Sequence, residues 1–262
     1  LGLDLADHSL VERGLHHFGL SSSPDFQVPD AGAPQRRGTL VSRYMKTSLG
    51  WTVSVPPKGQ APVGIIYCLH GKGGTNRMAF DDVHVPDVAA YVGLPVAVAA
   101  VDGGSDSYWH RRADGTDAMA MLMEEFVPLV TSMVGDHPQA LMGWSMGGYG
   151  ALLAAERYRP AFVAVAPASP AIWLTPGATA PGAFDSPADF YANNVLTDLD
   201  PLRGMAVAVA CGTGDPFYDS TRHLVSLMDF PHRAFYGPGF HDPAYWRSVA
   251  PAQLRAVRGA FG

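Results

Sequence analysis

The chain has 262 residues, enough for about one large domain that buries roughly 70–75% of the surface its unfolded form exposes. At 47% hydrophobic and 16% charged it has the make-up of a globular protein, not of a disordered or fibrous one. The net charge of −6 is scattered, and the densest basic spots are the pairs Arg36-Arg37 and Arg111-Arg112, so no nucleic-acid partner is expected.

In chain order, residues 1–37 show no period and are rich in Ser, Pro, Asp and Gly after residue 20, which reads as an arm wrapping a domain of residues 38–262. Within residues 1–10, Asp4, Asp7 and His8 argue against a signal peptide. Position 1 is not Met, so an export signal removed upstream stays open, and with it the compartment. Alternation over 38–55 predicts an antiparallel pair. Short apolar runs follow at 63–69 (VGIIYCL), 96–101 (VAVAAV), 140–144 (ALMGW), 162–166 (FVAVA) and 205–211 (MAVAVAC). Each is Val/Ala-rich and apolar throughout, as a strand covered on both faces must be.

Helical patterns fall between the runs, at 78–91, 117–134, 146–158 and 216–228, and a last strand is expected at 232–236. In the second helix Asp117 is placed to cap the N-terminus, and Pro128 predicts a kink. This alternation implies a mostly parallel central sheet with helices on both faces. One segment, 169–204, breaks the rhythm with Pro170, Pro176, Pro181, Pro187 and Pro201 and with Trp173, Phe184, Phe190 and Tyr191, and it reads as a partial lid. Cys68 and Cys211 sit inside apolar runs and are expected as buried free thiols. No run of 18 apolar residues marks a membrane span.

The sharpest chemical signal is Gly143-Trp144-Ser145-Met146-Gly147, a G-x-S-x-G with an apolar strand running in and an Ala/Leu-rich helix running out. That context is what a nucleophile elbow needs: a turn so tight that only glycine fits two residues either side of the serine. A serine needs a base, and the base needs an orienting acid. In elbow proteins the order along the chain is Ser, acid, His. Asp215 follows the 205–211 strand directly and is the expected acid, with Asp219 as runner-up. His241, in Gly237-Pro238-Gly239-Phe240-His241-Asp242 after the last strand, is the expected base.

A tetrahedral intermediate also needs two backbone N–H donors. One falls to Met146, the residue after the nucleophile. The second falls to the loop His70-Gly71-Lys72-Gly73-Gly74, at Lys72 or, alternatively, Gly71. This loop lacks G-K-[ST], so it is not read as a phosphate loop. The Asp102-Gly103-Gly104 turn leads to Tyr108, Trp109 and His110 at the sheet's C-terminal edge, a segment that either binds a polar substrate group or caps the edge. His70, Tyr108, Trp109, Trp144 and Trp173 are the candidate substrate-binding residues. His16 and His17 are adjacent, no H-E-x-x-H occurs, and neither a metal nor any other cofactor is expected.

Taken together, LHGKGG, VDGG with YWH, EEFVPLV, GWSMGGYGA, CGTGDPF and GFHDPAYWR resemble the esterase D-like branch of α/β hydrolases, the putative esterase family. That branch includes S-formylglutathione hydrolases, feruloyl and acetylxylan esterases and mycolyltransferases. The resemblance runs from about Val63 to Phe261 and implies an α/β-hydrolase fold with Ser145, Asp215 and His241 as its triad. It implies a serine esterase that takes small-to-medium acyl esters through an acyl-enzyme. An acyltransferase with the same triad is the alternative. A silent binding protein would normally lack one of the three residues, and a peptidase on the same scaffold ranks below the esterase.

Overall fold

Eight strands make one sheet in the computed structural model, which describes residues 21–57 and 59–262 together with Arg13, Gly14 and His16. In chain order they are β1 (Gln35–Ser42), β2 (Thr47–Ser54), β3 (Gly64–Leu69), β4 (Val96–Val101), β5 (Gln139–Trp144), β6 (Ala164–Ala168), β7 (Ala206–Gly212) and β8 (Arg233–Gly237). Their spatial order is β1-β2-β4-β3-β5-β6-β7-β8. The pairings β1·β2 and β2·β4 are antiparallel, and every other pairing is parallel.

The helices are α1 (Val85–Tyr91), α2 (Ala118–Met121), α3 (Val127–Val134), α4 (Met146–Arg157), α5 (Pro187–Ala192), α6 (Tyr218–Leu227) and α7 (Pro243–Val257). Successive side chains of a strand point to opposite faces, and the core splits accordingly. From β3, Ile65, Tyr67 and Leu69 join a cluster with Met121 and Phe126 and with Leu152 of α4. Ile66 and Cys68 join the cluster on the other face, with Val88 of α1 and Trp246 and Leu254 of α7. Burial on both faces is why the central strands are almost wholly apolar. Cys68 and Cys211 are free and buried, and burial pushes both thiols well above their ordinary range.

Four local expectations are corrected. The expected helix 78–91 is broken into a π turn (Met78–Asp82) and α1, with His84 between them at φ 56°. Pro86 lacks an N–H and its ring crowds the carbonyl four residues back, and it stands in the first turn of α1, where a helical N–H has no partner to lose. The strand expected at 162–166 lies two residues on: β6 follows the register of β5, Ala164 opposite Ala140 through Ala168 opposite Trp144. Its Pro167 falls where β6 makes no ladder pair with β7. The expected helix 117–134 is interrupted, just ahead of Pro128, by a π turn over Leu122–Phe126, where Val127 N–H bonds the carbonyl of Leu122. Finally, β1 starts at Gln35, inside the segment expected as arm.

From Ser23 to Pro34 the arm lies along the α1/α7 side. Asp25 forms a two-pronged ion pair with Arg247 (2.9 Å each), and Ala31 N–H bonds Asp87 (3.0 Å). The expectations for residues 1–10 and for His17 lie outside the described residues. Among the described residues, no helix is long and apolar enough to cross a membrane.

Candidate active site

β5 ends at Trp144 and α4 begins at Met146, leaving one residue for the reversal. Ser145 makes it at φ 55°, ψ −120°. Such a conformation costs about 1–3 kcal/mol and persists only where its surroundings over-determine it. They do so here. Ser145 N–H bonds the carbonyl of Ala168 (3.1 Å), and its carbonyl accepts from Tyr149 and Ala171 (3.0 Å each). The flanking glycines are obligatory for space: a Cβ on Gly143 would lie 2.2 Å from Gly147 O, and one on Gly147 would lie 1.9 Å from Leu69 O.

The turn lifts the Ser145 hydroxyl to the loop after β8. His241 Nε2 lies 2.8 Å from Ser145 Oγ, and His241 Nδ1 lies 2.8 Å from Asp215 Oδ2. Asp215 stands just past β7 with no solvent exposure. Its other oxygen accepts from Phe217 N–H at 2.8 Å. An ionised carboxylate only accepts, so Nδ1 carries the imidazole proton and Nε2 is left to accept from the serine. Asp219, the runner-up acid, is exposed in the first turn of α6 and makes no bond to His241. Three residues far apart in sequence are thus brought into one hydrogen-bonded line. Around it, the Trp246 ring meets His241 edge-on (5.4 Å), and Trp246 Nε1 bonds Ser169 Oγ (3.1 Å).

The loop after β3 lies against the serine, since a Cβ on Gly71 would sit 3.4 Å from Ser145 Cβ. Gly71 N–H is turned to Met78 Sδ (3.4 Å), whereas the Lys72 and Met146 amides donate to no other group among the described residues. His70 sets this arrangement. Its Nε2 accepts from Gly103 N–H (2.8 Å), so its Nδ1 carries the proton and donates to the Gly71 carbonyl (2.8 Å). Burial holds the imidazole below its ordinary pKa, against smaller opposing pulls from the Gly71 bond and Asp102. Asp102 anchors the far end of the loop by accepting from Asn76 N–H (2.7 Å) and Gly50 N–H (3.0 Å).

The expected substrate-binding residues divide. His70, Trp109 and Trp144 are buried at 2%, 0% and 0% exposure and present no surface to a ligand, which corrects that expectation for all three. Trp144 points to the α1/α7 face because of its place in the β5 alternation. Trp109 fills the space over Gly103 and Gly150, where added Cβ atoms would lie 2.4 and 2.5 Å from its ring, and it donates to His70 O (3.3 Å). Tyr108 is buried too (3%), packed among Tyr149, Trp173 and Phe184. Trp173 is half-buried, and its ring meets Phe217 (5.4 Å), which in turn meets His241 (5.4 Å). These two rings run from the 169–204 segment to the His241 imidazole.

Sequence reasoning missed several of these partners. The 169–204 segment is latched to the 105–113 loop by Arg112, which pairs with Asp185 (2.8 Å) and donates to Gly182 O (2.9 Å). Phe217 was visible only as part of CGTGDPF. Ser23 donates to Asp242 (2.7 Å) and accepts from Phe240 N–H (2.9 Å) across more than 200 residues, a pairing without any local signal.

Comparison with known proteins bears on the family and the fold. The model of the family described as putative esterase matches residues 42–255. A solved ferulic acid esterase superposes with a TM-score of 0.73 at 23% identity, covering 86% of this chain and 98% of its own. The substrate-bound fluorophosphonate-binding serine hydrolase F of Staphylococcus aureus gives 0.72 at 17%, covering 88% and 99%. An S-formylglutathione hydrolase from Agrobacterium tumefaciens gives 0.68 at 17%, covering 90% and 99%. At these identities the likeness speaks for the fold. In sequence, the iron(III) salmochelin esterase of Escherichia coli O6:H1 (strain CFT073) is 28% identical over 183 residues. That match takes in 63% of this chain, which spans only 43% of that relative's length.

Proposed function

The chain belongs to the putative esterase family, and from that premise we propose that it is a serine carboxylic-ester hydrolase working through an acyl-enzyme at Ser145. The observation that carries this reading is the imidazole of His241 set 2.8 Å from both Ser145 Oγ and Asp215 Oδ2. As an ester carbonyl arrives, His241 Nε2 takes the hydroxyl proton and Oγ attacks the carbonyl carbon. Asp215 holds the tautomer and stabilises the imidazolium, without itself taking a proton. The oxyanion is received by the free amides of Lys72 and Met146. The intermediate then collapses: the C–O bond to the alcohol breaks and His241 returns its proton to the leaving oxygen. Water attacks the acyl-enzyme by the same steps in reverse, freeing the acid.

Esters with small-to-medium acyl groups are the proposed substrates, with the acyl or aryl portion against Trp173 and Phe217. The ferulic acid esterase among the similar structures makes an aromatic acid ester a natural member of the test set. The similar proteins are named as hydrolases and esterases, which favours water over an alcohol acceptor. Labelling with a fluorophosphonate followed by peptide mass spectrometry tests the nucleophile. The expected result is a single adduct at Ser145, lost in Ser145→Ala. An adduct elsewhere, or none, refutes the assignment.

A further inference from the structure

The loop that carries His241 is held by residues from the far N-terminal side of the chain. Phe240 and Asp242 flank His241, and the hydroxyl of Ser23 joins both: it accepts from Phe240 N–H at 2.9 Å and donates to Asp242 Oδ2 at 2.7 Å. Ser23 is only 7% exposed, so water is poorly placed to replace either bond. Asp242 in turn caps α7, its other oxygen accepting from Tyr245 N–H at 2.9 Å. A second grip comes from His16, whose ring stacks on Phe240 with centroids 3.8 Å apart and planes 9° apart. The His16 ring nitrogen Nδ1 is 2.9 Å from Ser21 O, which ties it to the same arm. A third contact reaches the acid: Arg13 donates to the backbone carbonyl of Asp215 at 3.3 Å.

All three residues lie ahead of residue 42, where the family match begins. The geometry points to Ser23, supported by His16, as a positioning residue for the catalytic base: the arm holds the Phe240 N–H on one side of His241 and the Asp242 carboxylate on the other, and so supports the 2.8 Å approach of Nε2 to Ser145. This inference rests on the proposed roles of Ser145 and His241. Its physical basis is that a side chain is only as well placed as the chain segment that bears it, and both neighbours of His241 are tethered to Ser23. A displacement of about 1 Å in a catalytic group costs on the order of 100-fold in rate. Ser23 itself touches no reacting atom, so its loss should slow the chemistry and leave ground-state substrate binding nearly intact.

The test measures kcat and KM on p-nitrophenyl acetate, and the rate constant of fluorophosphonate labelling, for wild type, Ser23→Ala, Ser23→Thr, His16→Ala and Asp25→Ala. Ser23→Thr keeps the hydroxyl. Asp25→Ala breaks the arm's ion pair with Arg247, away from His241, and reports the effect of loosening the arm in general. The expected result is a fall of about tenfold or more in kcat and in labelling rate for Ser23→Ala. KM should stay within about twofold, Thr should restore the rate, and His16→Ala should show a smaller fall of the same kind. If Ser23→Ala does not fold, His16→Ala alone carries the comparison. An unchanged kcat in the folded variants, a change confined to KM, or an equal loss in Asp25→Ala overturns the inference. A wild type that is not labelled at Ser145 instead refutes the functional reading beneath it, so the two failures are distinct.

Discussion

The imidazole of His70 donates to the carbonyl oxygen of Gly71 at 2.8 Å, and so orients the peptide that carries the Lys72 N–H. A trans peptide points its C=O and N–H in opposite directions, so a grip on the one aims the other. Removing an oxyanion donor typically costs about 100- to 1,000-fold in rate. His70→Ala leaves the proposed Lys72 donor present but unaimed, and kcat is expected to fall about 10- to 100-fold with KM little changed. Steady-state kinetics on p-nitrophenyl acetate checks this. A rise in KM alone would assign His70 to substrate binding instead.

The same burial makes stability pH-dependent. His70 is held below its ordinary pKa in the folded chain, whereas in the unfolded chain it takes a proton near pH 6.5. The unfolded state therefore binds more protons, and stability rises with pH. The contribution is full above about pH 6.5 and is lost as pH falls toward the depressed folded value. Against His70→Asn, which keeps an amide donor but does not titrate, the wild-type advantage in Tm should shrink from pH 7.5 to pH 5. A constant difference across that range would contradict it.

Arg112 and Asp185 latch the 169–204 segment to the 105–113 loop. The guanidinium bonds hold the Asp185 carboxyl at about 2. This contribution is present above the unfolded value near 3.9 and is lost as pH falls through about 2. The Asp185 side chain keeps 29% of its surface in water, so screening limits the effect to about 1 kcal/mol or less. Urea unfolding of Asp185→Asn at pH 7 should show that loss, and the gap to wild type should narrow at pH 3. No loss at pH 7 would mean the latch contributes nothing net.

Trp173 and Phe217 are half-buried members of an aromatic cluster that reaches His241. If an acyl chain rests there, Trp173→Ala should cost butyrate about tenfold in kcat/KM and acetate no more than about threefold, since each methylene in an apolar pocket is worth about 1–3 kcal/mol. Equal losses for both esters would place the acyl group elsewhere.

The sheet was legible because its central strands are covered on both faces, which leaves short unbroken apolar runs such as VGIIYCL and VAVAAV. The elbow was legible because its backbone admits only glycine at 143 and 147, and steric necessity writes itself into sequence. Trp144 was misread for a related reason. It adjoins the serine in sequence, but strand alternation turns it to the opposite face of the sheet, and adjacency along the chain says nothing of that. The break at His84 was carried by Pro86, a signal present but overridden by the apolar period. Ser23 on the His241 loop and Arg112 on Asp185 are pairings across the fold, each between ordinary polar residues in irregular segments. Nothing local marks such residues, because their meaning is their distant partner.

The central claim is that Ser145, His241 and Asp215 act as one nucleophilic unit on esters. Its most direct test is the hydrolysis of p-nitrophenyl acetate and butyrate by wild type, Ser145→Ala and His241→Ala, each checked for folding by circular dichroism. Wild type is expected to turn over both esters, and both variants to lose at least about 1,000-fold, by similar amounts, because residues acting as a unit are not additive. Turnover that survives Ser145→Ala at near wild-type rate would contradict it.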